Sequence, residues 1–170
     1  YDTTVDYPTS ASDCLNKIVA NCNKNSVDLD ISIHFNSGAN DRVGNGKSTG
    51  TEVFVYNSSS KAKVYAERVC NKIATLGFKN RGVKYSTSLA VLKTKNPNIL
   101  IECCFVDDKD DVNLYNYKSM AKAIVEGILN KNIQETVESP QTSVALKNGD
   151  YTGKKAKVTA SVLNVRYDRG

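Results

Sequence analysis

In residues 29–37, Leu29-Asp30-Ile31-Ser32-Ile33-His34-Phe35-Asn36-Ser37, apolar and polar side chains alternate as far as Asn36. The spacing predicts a half-covered strand with Leu29, Ile31, Ile33 and Phe35 on its buried face. Upstream, Ser10, Ser12 and Asp13 offer cap chemistry to a helix marked by Leu15, Ile18, Val19 and Cys22. Residues 1–5 read as a strand ended by Pro8, so strand, helix and strand form a crossover unit. A loop rich in Gly, Asn and Ser follows over residues 38–50. Residues 51–56 alternate again, with Val53 and Val55 opposite Glu52, Phe54 and Tyr56.

Further along, Ser58 to Ser60 precede a helix traced by Tyr65, Val69, Ile73 and Leu76, with Gly77 as its stop. Asn80-Arg81-Gly82 reads as a turn. Pro97 then introduces Ile99-Leu100-Ile101-Glu102-Cys103-Cys104-Phe105-Val106, apolar on both faces but for one carboxylate. One last helix is expected over Leu114, Tyr117, Met120, Ala121, Ile124 and Ile128, ending near Asn130. The acidic group Asp107, Asp108, Asp110 and Asp111 precedes it, where the helix dipole favours negative charge.

Composition excludes more than it selects. A chain of 170 residues accommodates one principal domain. No apolar run approaches the roughly 20 residues of a membrane span. The net charge of +5 suits anionic partners, but the basic residues are scattered and no nucleic-acid motif is visible. Gly46-Lys47-Ser48-Thr49 ends like a phosphate loop, yet Asp41 stands where its first glycine belongs and a strand follows instead of a helix. A calcium loop fails similarly, with Lys109 and Val112 at positions that need an oxygen ligand and a glycine. The five cysteines make a poor disulfide framework and a poor zinc knuckle, and read as reduced core thiols.

Two residues stand out chemically. His34 is the sole histidine and sits at the carboxyl end of its strand, where crossover sheets collect ligands; it reads as a metal ligand, a proton carrier or a structural histidine. Glu102 is a carboxylate within a buried strand, which requires compensation: an ion pair, or a role as a general base or metal-site ligand. A Cys/His hydrolase pairing Cys103 or Cys104 with His34 is a rival, whereas no Gly-x-Ser-x-Gly elbow appears.

Taken together, residues 28–37, Gly50-Thr51-Glu52-Val53-Phe54, Asn80-Arg81-Gly82-Val83-Lys84, residues 89–92 and residues 97–106 resemble the zinc-dependent N-acetylmuramoyl-L-alanine amidases of the Amidase_3 family, most similarly the phage endolysin branch. The resemblance covers about residues 1–133. It implies an α/β fold, a three-layer α/β/α sandwich with a mixed, largely parallel twisted sheet. It also implies Zn2+ as cofactor, His34 as the last of three zinc ligands, Glu102 as catalytic base, and peptidoglycan of the bacterial cell wall as substrate. Neither nucleic acid nor membrane is an expected partner. Synthesis in the bacterial cytoplasm and action at the wall after release or secretion follow. The family's first two zinc ligands have no counterpart here, so a leading segment is expected to be missing. Val158-Thr159-Ala160-Ser161-Val162-Leu163-Asn164-Val165-Arg166 resembles the opening strand of bacterial SH3-like wall-binding domains. The expected order is thus an amidase catalytic domain over residues 1–133, a linker over 134–155 and the start of an SH3-like domain over 156–170. A non-catalytic wall-binding domain of the same fold is the alternative from another class.

Overall fold

The computed structural model describes residues 10–134, of which those up to Ile133 belong to one compact unit. The expected first strand, linker and SH3-like segment lie outside the described residues. The elements run α1 (Ala11–Lys24), β1 (Asp30–Asn36), β2 (Thr51–Val55), α2 (Lys63–Ala74), β3 (Asn80–Tyr85), a 3-10 turn (Ala90–Lys93), β4 (Asn98–Phe105), α3 (Lys109–Leu114) and α4 (Tyr117–Leu129).

The four strands form one mixed sheet in the order β1-β4-β2-β3. β4 runs parallel to β1 and antiparallel to β2, while β2 and β3 are parallel. The last strand in sequence is therefore inserted between the first two. This is the open mixed sheet with flanking helices expected from the sequence. Because β4 has neighbours on both sides and cover on both faces, its apolar run needs no alternation.

Ser10 caps α1 as expected, its hydroxyl accepting the Asp13 amide at 3.1 Å. On β2 the predicted parity holds: Val53 and Val55 are fully buried with Ile99 and Ile101 of β4 under Ala66, Val69 and Ile73 of α2 and Met120, Ala123 and Ile124 of α4. The α2–α4 contact depends on a glycine. A Cβ at Gly127 would lie 2.7 Å from Val69 Cα and 2.9 Å from its nitrogen, and backbone cannot yield as a flexible side chain would. Gly127→Ala should push α4 off α2 and cost about 1–3 kcal/mol in urea unfolding; a neutral result would mean that the helices slide freely.

Three expectations need correction. On β1 the apolar face is open, with Ile31, Ile33 and Phe35 between 43% and 59% exposed, because β1 is outermost among the described strands and the core of α2 and α4 is centred on β2 and β4. The predicted turn at Asn80-Arg81-Gly82 is the start of β3. Its turn-like composition serves a bulge instead: Thr51 pairs with Asn80 but Val53 with Val83, so Arg81 and Gly82 together face Glu52, with Gly82 at φ +76°. Finally, the last helix is two helices, broken at Tyr115 and Asn116, where Asn116 accepts the amides of Lys118 and Ser119 and caps α4.

Candidate active site

Strand pairing assembles the site. His34 of β1 is the register partner of Glu102 in β4, and Glu102 is in turn opposite Glu52 in β2. Directly paired residues project to the same face of a sheet. Arg81, turned by the bulge in β3, closes the row by donating its Nε–H to Glu52 Oε2 at 2.8 Å. An imidazole, two carboxylates and a guanidinium thus lie along one rung across all four strands.

The two carboxylates are treated differently by their surroundings. Glu52 is 5% exposed and well compensated: besides Arg81, it accepts from Asn36 Nδ2 at 2.9 Å through Oε1. Glu102 has no such support. Its Oε2 is buried with no hydrogen-bond partner. Burial, and secondly the negative charge of Glu52, push its carboxyl above the ordinary value of 4.5. Among the described residues no cation pairs with Glu102; the ion pair belongs to Glu52. A carboxylate with an idle, desolvated oxygen is suited to accept a proton from a bound molecule. His34 is exposed, its Nε2 3.1 Å from Ser32 Oγ, and so is open to a ligand.

The thiols do not form a rival centre. Between His34 and Asn36 the register slips, so that Asn36 pairs with Phe105, and the extra β4 residue lets Cys103 and Cys104 both enter the core. Burial pushes each thiol up to about 12. Neither is a thiolate nucleophile near neutral pH.

The loop between β1 and β2 is held by the acidic group. Asp107 accepts from the amides of Gly38, Ala39 and Asn40 at 2.9–3.2 Å, and these bonds, that from Asn40 foremost, hold its carboxyl below the usual 3.8. Asp110 accepts from Asn45, Gly46 and Lys47. The amides that a phosphate loop would aim at phosphate are aimed here at a side chain. Asp108 caps α3, accepting from the amides of Asp110 and Asp111, so the helix-terminus expectation stands for it. Burial raises its carboxyl, but hydrogen bonds from Thr49 and the α3 amides outweigh that and leave it below the usual range. The loop-clamping role was not visible in sequence, since the partners lie some sixty residues apart.

Asp41, Asp108 and Asp110 bring one oxygen each within 4.8 Å of one another, the one such group among the described residues that could hold a metal ion. Asp108 and Asp110 are already engaged by amides, whereas Asp41 Oδ2 lacks a partner. A cleft of about 710 Å³ continues from the carboxyl ends of β1 and β4, lined in part by Ser37, Gly38, Asn40, Arg42 and Val106.

Comparison with known proteins places this geometry in context. Residues 1–131 match the Amidase_3 family, described as N-acetylmuramoyl-L-alanine amidase. An uncharacterized protein of Clostridium perfringens is 34% identical over 143 residues, covering 81% of this chain and 42% of that protein. An uncharacterized cell wall amidase of Bacillus anthracis is 31% identical over 133 residues, covering 71% of this chain and 24% of that protein. The chain therefore spans less than half the length of these curated relatives. Among solved structures, the catalytic domain of an endolysin targeting Clostridia difficile is 36% identical with a TM-score of 0.64, covering 74% of this chain and 67% of that one.

Proposed function

The chain belongs to the N-acetylmuramoyl-L-alanine amidase family, and on that premise we propose that it hydrolyses the amide bond between N-acetylmuramic acid and L-alanine in peptidoglycan. What carries the proposal is the shared rung of His34 and Glu102, which sets the sole imidazole beside a buried carboxylate oxygen without a partner. Glu102 is the general base: it takes a proton from the attacking water and returns it to the leaving amine. Asn36 and Arg81 hold the Glu52 carboxylate in place beside Glu102.

His34 suits zinc, being a neutral-capable imidazole exposed at a strand end. Zinc, when bound, polarises the scissile carbonyl and acidifies water. A catalytic zinc takes about three protein ligands, and His34 is the single histidine of the sequence. His34 would accordingly be one member of a ligand set, and elemental analysis of this chain should find less than one equivalent of zinc. An endolysin-type role is supported by the 36% identity to an endolysin catalytic domain; no described helix is long and apolar enough to cross a membrane. Wall-directed action followed by an SH3-like segment at residues 158–166 completes the proposal.

Incubation of purified walls with active protein should release new peptide amino termini without new reducing sugar ends, and a chelator should stop it. Wall binding without release would instead identify a non-catalytic wall-binding domain. Release that resists chelators but is blocked by thiol alkylation would overturn the assignment.

A further inference from the structure

Arg81 is the fourth group of the rung and the one that hydrolysis at Glu102 leaves without a direct task. Its guanidinium is held in a single orientation from two directions. Nε donates to Glu52 Oε2 at 2.8 Å, and the guanidinium carbon lies 5.0 Å from the centroid of the Phe105 ring. Glu52 is itself fixed by Asn36. The Glu52 contact uses the Nε side, and the terminal nitrogens have no hydrogen-bond partner among the described residues. The side chain remains 32% exposed. Arginine–carboxylate pairs are frequently bidentate; here one Glu52 oxygen orients the guanidinium through Nε while the other is taken by Asn36.

We propose that Arg81 is a substrate-binding residue that takes a carboxylate of the wall peptide, one to three residues beyond the amide cleaved at Glu102. The inference rests on the peptidoglycan assignment above. Adjacent strands are about 4.8 Å apart, so β3 lies roughly 10 Å from β4 across the sheet. The guanidinium reaches back from β3 to Glu52 of β2 and the Phe105 ring of β4, within that span of Glu102, and an extended peptide advances about 3.3–3.6 Å per residue, so a residue one to three beyond the first amide reaches it when that amide is over Glu102. In many walls the second stem residue carries an α-carboxylate that is either free or amidated. A rigid guanidinium distinguishes these forms, accepting the planar carboxylate in two parallel hydrogen bonds and gaining no charge pairing from the amide.

The test uses the 170-residue chain and two probes, N-acetylmuramoyl-L-alanyl-D-glutamate with its γ-carboxyl blocked as the methylamide and the same compound with its α-carboxyl amidated as well, with dissociation constants from calorimetry. The unaltered chain should bind the acid about tenfold or more tightly than the amide. Arg81→Gln should abolish the preference, and Arg81→Lys, which keeps the charge and loses the fork, should retain only part of it. Because Arg81→Gln strands a buried Glu52, the double variant Glu52→Gln with Arg81→Gln serves as the folded control if the single variant melts early. Preference kept by the glutamine variants, or equal binding of both probes by the unaltered chain, would overturn the role of Arg81 alone. Failure of the unaltered chain to bind either probe would count against the peptidoglycan assignment together with it.

Discussion

Glu102→Gln in protein that hydrolyses wall fragments should lower turnover by about 10²–10⁴-fold, the usual contribution of a positioned general base. The amide is nearly isosteric with the carboxylate but cannot accept the water's proton, so substrate affinity should change little. Stability supplies a second readout that needs no activity. The folded-state pKa of Glu102 is raised above its ordinary value, by burial first and by Glu52 second. Such a group is stabilising, relative to its ionised form, below the ordinary value of 4.5, and that advantage is lost as pH rises through the folded value. At pH 7, above the ordinary value, the carboxyl is thus a cost that the glutamine does not carry. Thermal melts should show Glu102→Gln more stable than the unaltered chain at pH 7, with the gap closing on acidification to about pH 3. Turnover retained by the variant would exclude Glu102 as the base. A variant less stable at neutral pH would mean that the carboxylate has a compensating partner.

The opposition of activity and stability at this position explains which parts of the site could be read from sequence. His34 was visible because it is the sole histidine of the sequence and falls near the end of an alternating strand, and Glu102 because it is a carboxylate in a run otherwise apolar on both faces. Glu52 and Arg81 violate nothing locally. Glu52 occupies a polar position in an alternating strand, where a solvated glutamate is ordinary, and Arg81 lies in an Asn-Arg-Gly sequence that resembles a turn. Their role depends on β4 entering between β1 and β2, pairings between segments about fifty to seventy residues apart that leave no periodic trace. The core of β2, α2 and α4 was legible because the apolar positions there follow periods of 2 and 3.6, and that of β4 because a short continuous apolar run marks a strand covered on both faces. The open apolar face of β1 was not, since alternation states which side chains share a face and not whether a helix covers it.

Long-range polar contacts escape sequence reading for the same reason, and the largest stability effect lies among them. Asp111 is fully buried. It accepts the Gly50 amide at 3.0 Å and the Phe105 amide at 2.9 Å, and also the Ser48 hydroxyl. One side chain therefore ties the start of β2 to the end of β4. Asp111→Ala would leave two buried amides and a hydroxyl without their acceptor, and each unsatisfied donor costs about 1–3 kcal/mol. Partial relaxation toward solvent recovers some of this, so denaturant unfolding should show a loss of about 3–5 kcal/mol, a large share of the stability of a domain this size. Asp111→Asn should be milder, keeping one acceptor oxygen while turning an NH2 group toward donors. Hydrogen exchange should accelerate at Gly50 and Phe105 ahead of the α2–α4 core. A loss below about 1 kcal/mol would show that the loop holds without this carboxylate. The consequence reaches the rung: Gly50 leads through Thr51 directly to Glu52, so release of that amide loosens the strand that sets Glu52 opposite Glu102 and presents it to Arg81.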